Sequence, residues 1–386
     1  MKIAFVIASI NSKSNGLGGH YHSLLATVEQ LSVKHEVFII NVGNNPAKVL
    51  DGTKFNLFSI IEKRYAIFRT YKKVISILKD EKPDIIHAFD SSAYYWVRLV
   101  GHKLHIPFCI TKCGGVNPIY FPYAKNLVLF SSENFNFFKK KRKFRNSNLF
   151  LIPNRIKDFE DNKILIEKIN RKLETYSKTF KFLRITRIGK YYHRSSIQLI
   201  NLVNKLSDDG IKCCAIFIGT VEDEHYLNEL KKHGRSNCFF FTDPEFTENA
   251  KSLINLADAV LGTGRSFMEA AAKEKILLSP VQNSSMPLLI TRENFETAFY
   301  YNFSERIEIY NFAELHNYEL IKRLIQNKEE LQQQKTFSKK MFQEFFDVQK
   351  IIDKYEHVYT NSAKKTPKKC FDFFLHTLFL IRNYYR

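Results

Sequence analysis

Short, continuously apolar runs, each closed by a glycine or polar loop and followed by a helical stretch, recur along this chain. That alternation restricts its fold more than any other feature. Ile3 to Ala8 is the first run; the loop Asn15-Gly16-Leu17-Gly18-Gly19 and a helical pattern from His22 to Leu31 follow it. Further strands are predicted at Glu36–Val42, Asp84–Ala88, Phe108–Thr111, Asn126–Ser131 and Leu149–Pro153, with helices from about Arg64 to Lys79 and from Tyr94 to Leu104. A strand covered by helices on both faces is apolar throughout instead of alternating, so the pattern predicts a parallel sheet in an α/β fold.

The pattern dissolves into charge-rich sequence from Lys157 to Lys178 and then restarts. Strands are predicted at Phe182–Thr186, Ala215–Gly219, Cys238–Phe241, Ala259–Leu261 and Ile276–Ser279. At 386 residues the chain is long enough for two cores, and two doubly wound, Rossmann-like halves in tandem are expected. The predicted organisation is an N-terminal domain over 1–156, a linker region over 157–178 and a second domain over 179–335. A C-terminal helix over 336–361 is expected to pack back toward the first domain, followed by a basic amphipathic tail over 362–386. Doubly wound sheets hold ligands outside the carboxyl ends of their strands, so chemistry is sought in the loops there.

Composition removes several classes. Hydrophobic residues make up 45% and aromatics 14%, enough to build cores and too much for a disordered chain. No uncharged apolar run reaches the roughly 18 residues of a membrane span. Lys and Arg number 59 against 39 Asp and Glu, a net charge of +20 that favours anionic partners. The six cysteines show no CxxC pair or zinc-ligand spacing, which fits buried, reduced thiols in a cytoplasmic protein. Polar Asn11 to Asn15 follows the first apolar run with no plausible cleavage site, so Met1 to Ala8 reads as a strand and not a signal peptide.

Three loops are candidates for phosphate and sugar recognition. Gly18-Gly19 lies between the first strand and its helix, where backbone N–H groups can approach an anion; the bland alternative is a loop that merely needs glycine backbone. It does not complete the dinucleotide fingerprint, whose third glycine would fall on Tyr21, and Asn41 instead of an acid ends the second strand; both argue against NAD. In the second half, Leu261-Gly262-Thr263-Gly264-Arg265-Ser266-Phe267-Met268-Glu269 passes from a strand into a helix, and Glu269 can accept hydrogen bonds from the vicinal hydroxyls of a ribose. Arg184, Arg187, Lys190 and Arg194 cluster after the strand that opens this half, where a diphosphate would need cations; a basic surface loop is the ordinary alternative. No acidic pair at a strand end invites a bridging metal, and Asp208-Asp209 before Gly210 reads as a turn.

Taken together, these pieces resemble the GT-B glycosyltransferases, and most closely glycosyltransferase family 4. The resemblance runs from Met1 to about Asn361. It rests on Gly18-Gly19, Ser131-Ser132-Glu133, Ile152-Pro153-Asn154-Arg155-Ile156 (the family's IPNGID element), Arg187-Ile188 (its GRL) and Glu269-Ala270-Ala271-Ala272 (its EAMA). It implies two Rossmann-like domains facing a cleft, with the acceptor on the N-terminal side and a nucleotide diphosphate sugar on the C-terminal side. It implies retaining, hexosyltransferase-type transfer with no metal and no cofactor. By motif position, Arg187 and Lys190 are the catalytic cations at the diphosphate, with Arg194 a rival to Lys190. Gly18, Gly19, Gly264, Arg265, Ser266 and Glu269 are the remaining substrate-binding candidates. The chain departs from the family where a first glutamate would stand eight positions before Glu269, because Leu261 occupies that place. Backbone N–H groups or Arg265 are the candidates to replace it.

Two basic clusters bear on partners. Lys139 to Lys143 lies on the N-terminal half, and Lys364-Lys365-Thr366-Pro367-Lys368-Lys369 precedes an apolar, aromatic run from Cys370 to Ile381. A helix of that length spans about 18 Å, short of the roughly 30 Å hydrocarbon core, so the tail is expected to lie in the interface of an anionic membrane. The resulting expectation is a peripheral enzyme on the cytoplasmic face of the inner membrane, acting on a glycan or lipid-linked acceptor in polysaccharide or lipopolysaccharide synthesis. Two other readings stand beside it: a noncatalytic nucleotide-sugar binder of the same fold, and a basic nucleic-acid-binding protein. For the latter the sequence supplies no zinc module or aromatic RNA-binding signature, so nucleic acid is not an expected partner.

Overall fold

In the computed structural model, residues 1–10, 18–62, 66–310, 312–362 and 366–384 are described. The chain divides into two units, Met1–Arg155 with Val348–Arg386, and Ile156–Asp347.

Unit 1 is built on β1 (Lys2–Ser9), α1 (Gly19–Leu31), β2 (Glu36–Gly43), β3 (Asn56–Ile61), α2 (Ile67–Glu81), β4 (Ile85–Ala88), α3 (Ser91–Leu104), β5 (Phe108–Lys112), β6 (Asn126–Leu129), α4 (Ser132–Lys140) and β7 (Asn148–Leu151). The seven strands are all parallel, in the order β3-β2-β1-β4-β5-β6-β7. β1, β4, β5 and β6 are buried almost throughout, which is why they read as unbroken apolar runs. β3, at the sheet edge and mostly accessible, carries no such run and escapes sequence reading. Helix starts follow local chemistry: Asp90 accepts from the N–H groups of Ser92 and Ala93 at 2.8 Å to cap α3, and Ser131 caps α4 by accepting from Asn134 N–H at 3.2 Å.

Unit 2 contains α5 (Lys163–Lys172), β8 (Phe180–Ile185), α6 (His193–Asp208), β9 (Cys213–Ile218), α7 (Glu224–His233), β10 (Cys238–Phe241), α8 (Pro244–Thr247), β11 (Ala259–Leu261), α9 (Arg265–Ala272), β12 (Ile276–Ser279), β13 (Leu288–Leu289), α10 (Phe295–Tyr300), α11 (Glu314–Gln326) and α12 (Lys328–Met341). Its sheet runs β10-β9-β8-β11-β12-β13, with only β13 antiparallel. The segment 157–178, expected as a linker region, is part of this unit: α5 buries Ile169 and the turn after it buries Leu173 in the unit 2 core. Its charged residues cover a helix face that the sequence pattern does not separate from a linker. Ile156 and Asp347, the first and last residues of the unit, form a parallel bridge, and Ile156 N–H donates to Phe346 O at 2.9 Å.

Two C-terminal helices complete unit 1, α13 (Ile352–Ser362) and α14 (Cys370–Tyr384). α13 lays Tyr355, Val358 and Tyr359 into the core beneath β1, β4 and β5. The expectation of a tail lying wholly in a membrane interface needs correction. α14 is docked on α3, where Asp372 accepts from the Arg98 guanidinium at 3.0 Å and His376 Nε2 contacts Ser91 O at 2.8 Å. Arg98 is buried on α3, and a buried guanidinium requires a carboxylate partner; Asp372 supplies it from 274 residues away. Lys364 and Lys365, half of the tail's basic cluster, lie outside the described residues.

Candidate functional site

In each sheet the strand order reverses once, between β1 and β4 in unit 1 and between β8 and β11 in unit 2. The loops leaving such neighbouring strands diverge and open a crevice, the place where open α/β sheets bind ligands. In unit 2 the two loops carry seven of the nine predicted site residues. Arg187, Lys190 and Arg194 follow β8, and Gly264, Arg265, Ser266 and Glu269 follow β11.

The β11–α9 turn is shaped by its glycines. A Cβ on Gly262 would lie 2.4 Å from the Phe267 Cα, so only glycine lets the turn fold back on the helix. Gly264 sits at φ +49°, immediately before α9, and its N–H donates to Asn302 O at 3.1 Å. The glycine N–H at this helix start is therefore taken by the turn that follows α10. Ser266 Oγ accepts from Thr263 N–H at 3.0 Å and donates to Thr263 O at 3.1 Å, so its hydroxyl fixes the turn. The N–H groups of Arg265 and Phe267 have no acceptor among the described residues, leaving the start of α9 able to face an anion.

Glu269 is buried one helical turn further on, and its Oε1 accepts from Arg265 Nε at 2.8 Å. The side chains are 8% and 16% exposed, so the pair is nearly desolvated. Arg265 Nη1 is buried with no hydrogen-bond partner among the described residues. A buried guanidinium N–H without an acceptor is unsatisfied, and an oxygen acceptor would relieve it.

The cations after β8 separate into different roles. Arg184, grouped with them by sequence, belongs to the core: it is fully buried, with Nη1 donating to Leu261 O at 2.9 Å and Nη2 to Ser195 Oγ at 2.7 Å. It ties β8 to β11 and α6, and burial lowers its pKa to about 10, which leaves it charged at neutral pH. Arg187 is 44% exposed, stands 5.5 Å over the Tyr192 ring and pairs with Glu222 at 2.6 Å. Glu222, in the loop after β9, carries no sequence signal that separates it from a solvated acid. Lys190 is exposed and makes no ion pair among the described residues, while Arg194, in the first turn of α6, donates to Val281 O at 3.3 Å. Leu261, in place of the family's first glutamate, uses its carbonyl to hold Arg184.

Gly18 and Gly19 belong to unit 1, at the start of α1. Gly18 is the N-cap with φ −64°, so its backbone is one any residue adopts; a Cβ there would instead meet the His20 ring at 2.9 Å. The preceding residues, including Gly16, lie outside the described residues. At the unit 1 switch point Asp90 takes the Ala8, Ser92 and Ala93 N–H groups at 2.8 Å, and burial pushes its carboxyl up to about 6. His87 is a core residue bonded to Tyr359 Oη at 3.0 Å and Thr111 Oγ1 at 2.7 Å, and burial holds its pKa down at about 3. Burial raises the Cys113 thiol well above its ordinary range, the opposite of an activated nucleophile. All six cysteines are free.

No protein-family model and no curated protein matches this chain. Solved structures do. A glycosyltransferase from Rickettsia africae ESF-5 aligns at 16% identity over 95% of this chain and 99% of its own, with a TM-score of 0.70. Anabaena Alr3699/HepE in complex with UDP aligns at 14% identity over 93% of this chain and 100% of its own, with a TM-score of 0.67. The lipopolysaccharide outer core galactosyltransferase WaaB aligns at 14% identity over 93% and 99%, with a TM-score of 0.56. The chain therefore has the fold of the GT-B glycosyltransferases, two doubly wound α/β units in tandem.

Proposed function

We propose that the chain is a glycosyltransferase that moves a sugar from a nucleotide diphosphate sugar to a glycan or lipid-linked acceptor. The observation that carries this reading is the Arg265–Glu269 pair at the unit 2 switch point, with Arg265 Nη1 unpartnered and the α9 start open to an anion. The HepE structures with UDP and UDP-glucose support a donor of this class, and UDP-sugars are the first to test.

In this reading the anomeric carbon exchanges its bond to the diphosphate for one to an acceptor hydroxyl oxygen, with retention; negative charge gathers on the departing diphosphate, whose oxygen takes the hydroxyl proton. Arg187 and Lys190 face that charge, Arg194 stands behind Lys190, and Arg265 takes an oxygen of the donor. Glu269 keeps an oxygen for the ribose hydroxyls; Gly264 and Ser266 hold the turn that presents it. Gly18 and Gly19 serve the acceptor unit. The cations do the work a metal would do, so turnover is independent of added divalent ions. Asp208 and Asp209, the acidic pair, are engaged elsewhere with Arg235 and Lys322. Added chelator leaves turnover unchanged; loss of activity restored by magnesium or manganese would reject metal independence.

The test is release of nucleoside diphosphate from UDP-, GDP-, ADP- and TDP-sugars in the presence of lipid-linked glycan. Binding of a nucleotide sugar without turnover selects the noncatalytic binder, for which the missing first glutamate speaks. A peripheral station at the cytoplasmic leaflet, in surface polysaccharide or lipopolysaccharide synthesis, is part of the proposal. Among the described residues no helix is long and apolar enough to cross a membrane.

A further inference from the structure

At the foot of α14, unit 1 holds a cavity of 260 Å³ lined by four cations, Arg142, Lys143, Arg145 and Lys369, and one carboxylate, Asp372. Asp372 is already neutralised by the buried Arg98 guanidinium at 3.0 Å and by Lys143. Arg142, Arg145 and Lys369 are exposed and make no ion pair among the described residues. Their positions are set by the scaffold: the buried Phe144 anchors the turn that carries Arg142 and Arg145, and the Lys369 ammonium stands 5.3 Å over the Tyr123 ring. Three like charges converging on one concavity repel one another, and a phosphate bound between them relieves that repulsion. The cavity is several times the roughly 30 Å³ share of one water, ample for a phosphate.

The same helix presents an apolar face to solvent. Phe371 is 76% exposed, Phe374 56%, Leu378 48% and Ile381 36%, and their spacing of three or four residues puts them on one side of α14. The opposite side is fixed to unit 1 through Phe373 stacked on Tyr95 at 5.2 Å, and through buried His376 and Leu380. Ile119, fully exposed, precedes Tyr120, whose ring lies 5.3 Å from Phe379, so the apolar surface extends past the helix. Exposed Lys139, Lys140, Lys368 and Lys369 belong to the two segments that meet here. An apolar helix face beside clustered cations matches a surface with negative headgroups over hydrocarbon, and a protein partner would need no such phosphate-sized basic cavity.

We propose that this cavity is a phospholipid-headgroup site: a lipid phosphate sits among Arg142, Arg145 and Lys369 while Phe371, Phe374, Leu378 and Ile381 enter the interfacial layer of an anionic bilayer. The inference deepens the membrane part of the proposed function and rests on residues distant in sequence from the donor loops. It is tested with the full chain by sedimentation with vesicles of phosphatidylcholine alone or mixed with phosphatidylglycerol, at about 0.15 M salt. Wild-type protein binds the mixed vesicles and not the neutral ones. Arg142→Ala/Arg145→Ala/Lys369→Ala loses about fivefold per cation, roughly a hundredfold in all. Phe371→Ser/Phe374→Ser loses at least about tenfold, and glycerol phosphate displaces the wild-type protein. Equal binding to both vesicle types, or wild-type affinity in either variant, overturns the proposal. Glycerol phosphate binding to a protein that ignores vesicles shows a soluble-anion site and also overturns it. Nucleoside diphosphate affinity and thermal melting of the same variants keep the two readings apart. Vesicle binding lost with nucleotide affinity intact in the wild type sinks this inference alone, and the converse sinks only the donor reading.

Discussion

Arg265 and Glu269, one turn apart at the start of α9, form a nearly buried ion pair with Nε and Oε1 at 2.8 Å. The pair serves two ends. It fixes the guanidinium with Nη1 buried and unpartnered, and it lets a carboxylate sit in a small-residue helix without an uncompensated charge.

Glu269→Ala is therefore expected to act on both stability and binding. Removing one partner of a buried pair leaves Arg265 unpaired, at a cost of about 3 kcal/mol. Loss of hydrogen bonds to a charged acceptor weakens nucleoside diphosphate binding by about 1.5–3 kcal/mol, roughly ten- to a hundredfold. Calorimetry of the folded variant checks the second effect, and unchanged affinity would remove the ribose role.

Arg187 and Glu222 form a competing pair. A diphosphate must share or displace Glu222 to reach Arg187. If Arg187 meets the diphosphate as proposed, Arg187→Ala is expected to slow turnover at least about tenfold by removing positive charge where the leaving group gains negative charge, and wild-type turnover would remove Arg187 from the mechanism. Glu222→Gln, by contrast, frees Arg187 and tightens nucleoside diphosphate binding by up to about fivefold, the scale of a partly exposed ion pair. Weaker binding in Glu222→Gln would place Glu222 among the ligand contacts.

Ser195→Ala tests the core role of Arg184. The substitution leaves Arg184 Nη2, fully buried, without its acceptor at 2.7 Å. An unsatisfied buried charged donor costs about 1–3 kcal/mol, or a melting temperature several degrees lower for a unit of this size. An unaltered melting curve would show that Arg184 finds another acceptor.

Acid should weaken unit 1 first through its buried imidazoles. His87 and His376 are held neutral by burial, with pKa values of about 3 and about 4. Unfolded histidines bind protons near pH 6.5 that the folded ones refuse, so stability is whole above that value and falls as pH drops toward 4. Each imidazole contributes a slope of about 1.4 kcal/mol per pH unit. Asp90 acts in the opposite sense: its folded pKa of about 6 lies above the ordinary value, so it takes up a proton in the fold between pH 6 and about 4 and offsets one imidazole there. Urea unfolding from pH 7 to pH 4.5 is expected to show a slope that grows as pH falls through about 6.5 and then holds near one imidazole's share, Asp90 offsetting the other, and His376→Gln to remove one imidazole's share. A His376→Gln profile parallel to wild type would remove His376 from this balance.

The amino-acid sequence by itself determined the two parallel sheets, because strands covered on both faces, such as Ile3 to Ala8 and Ile276 to Ser279, must be apolar throughout. It also located the turns at strand ends where Arg187 and Arg265 stand, since strand, glycine turn and helix are adjacent in the chain. Edge strands β3 and β13 stayed hidden because an accessible or two-residue strand leaves little apolar signal. Only the tertiary structure separated Arg184 from Arg187. Three residues apart, the two differ because one points into the β8–β11 interior and the other into the loop facing Glu222. Only it, too, joined Arg98 to Asp372 and gathered Arg142, Arg145 and Lys369 about one cavity. Such meetings depend on contacts between residues hundreds of positions apart, and neither local propensity nor hydrophobic periodicity encodes where a buried charge will find its partner.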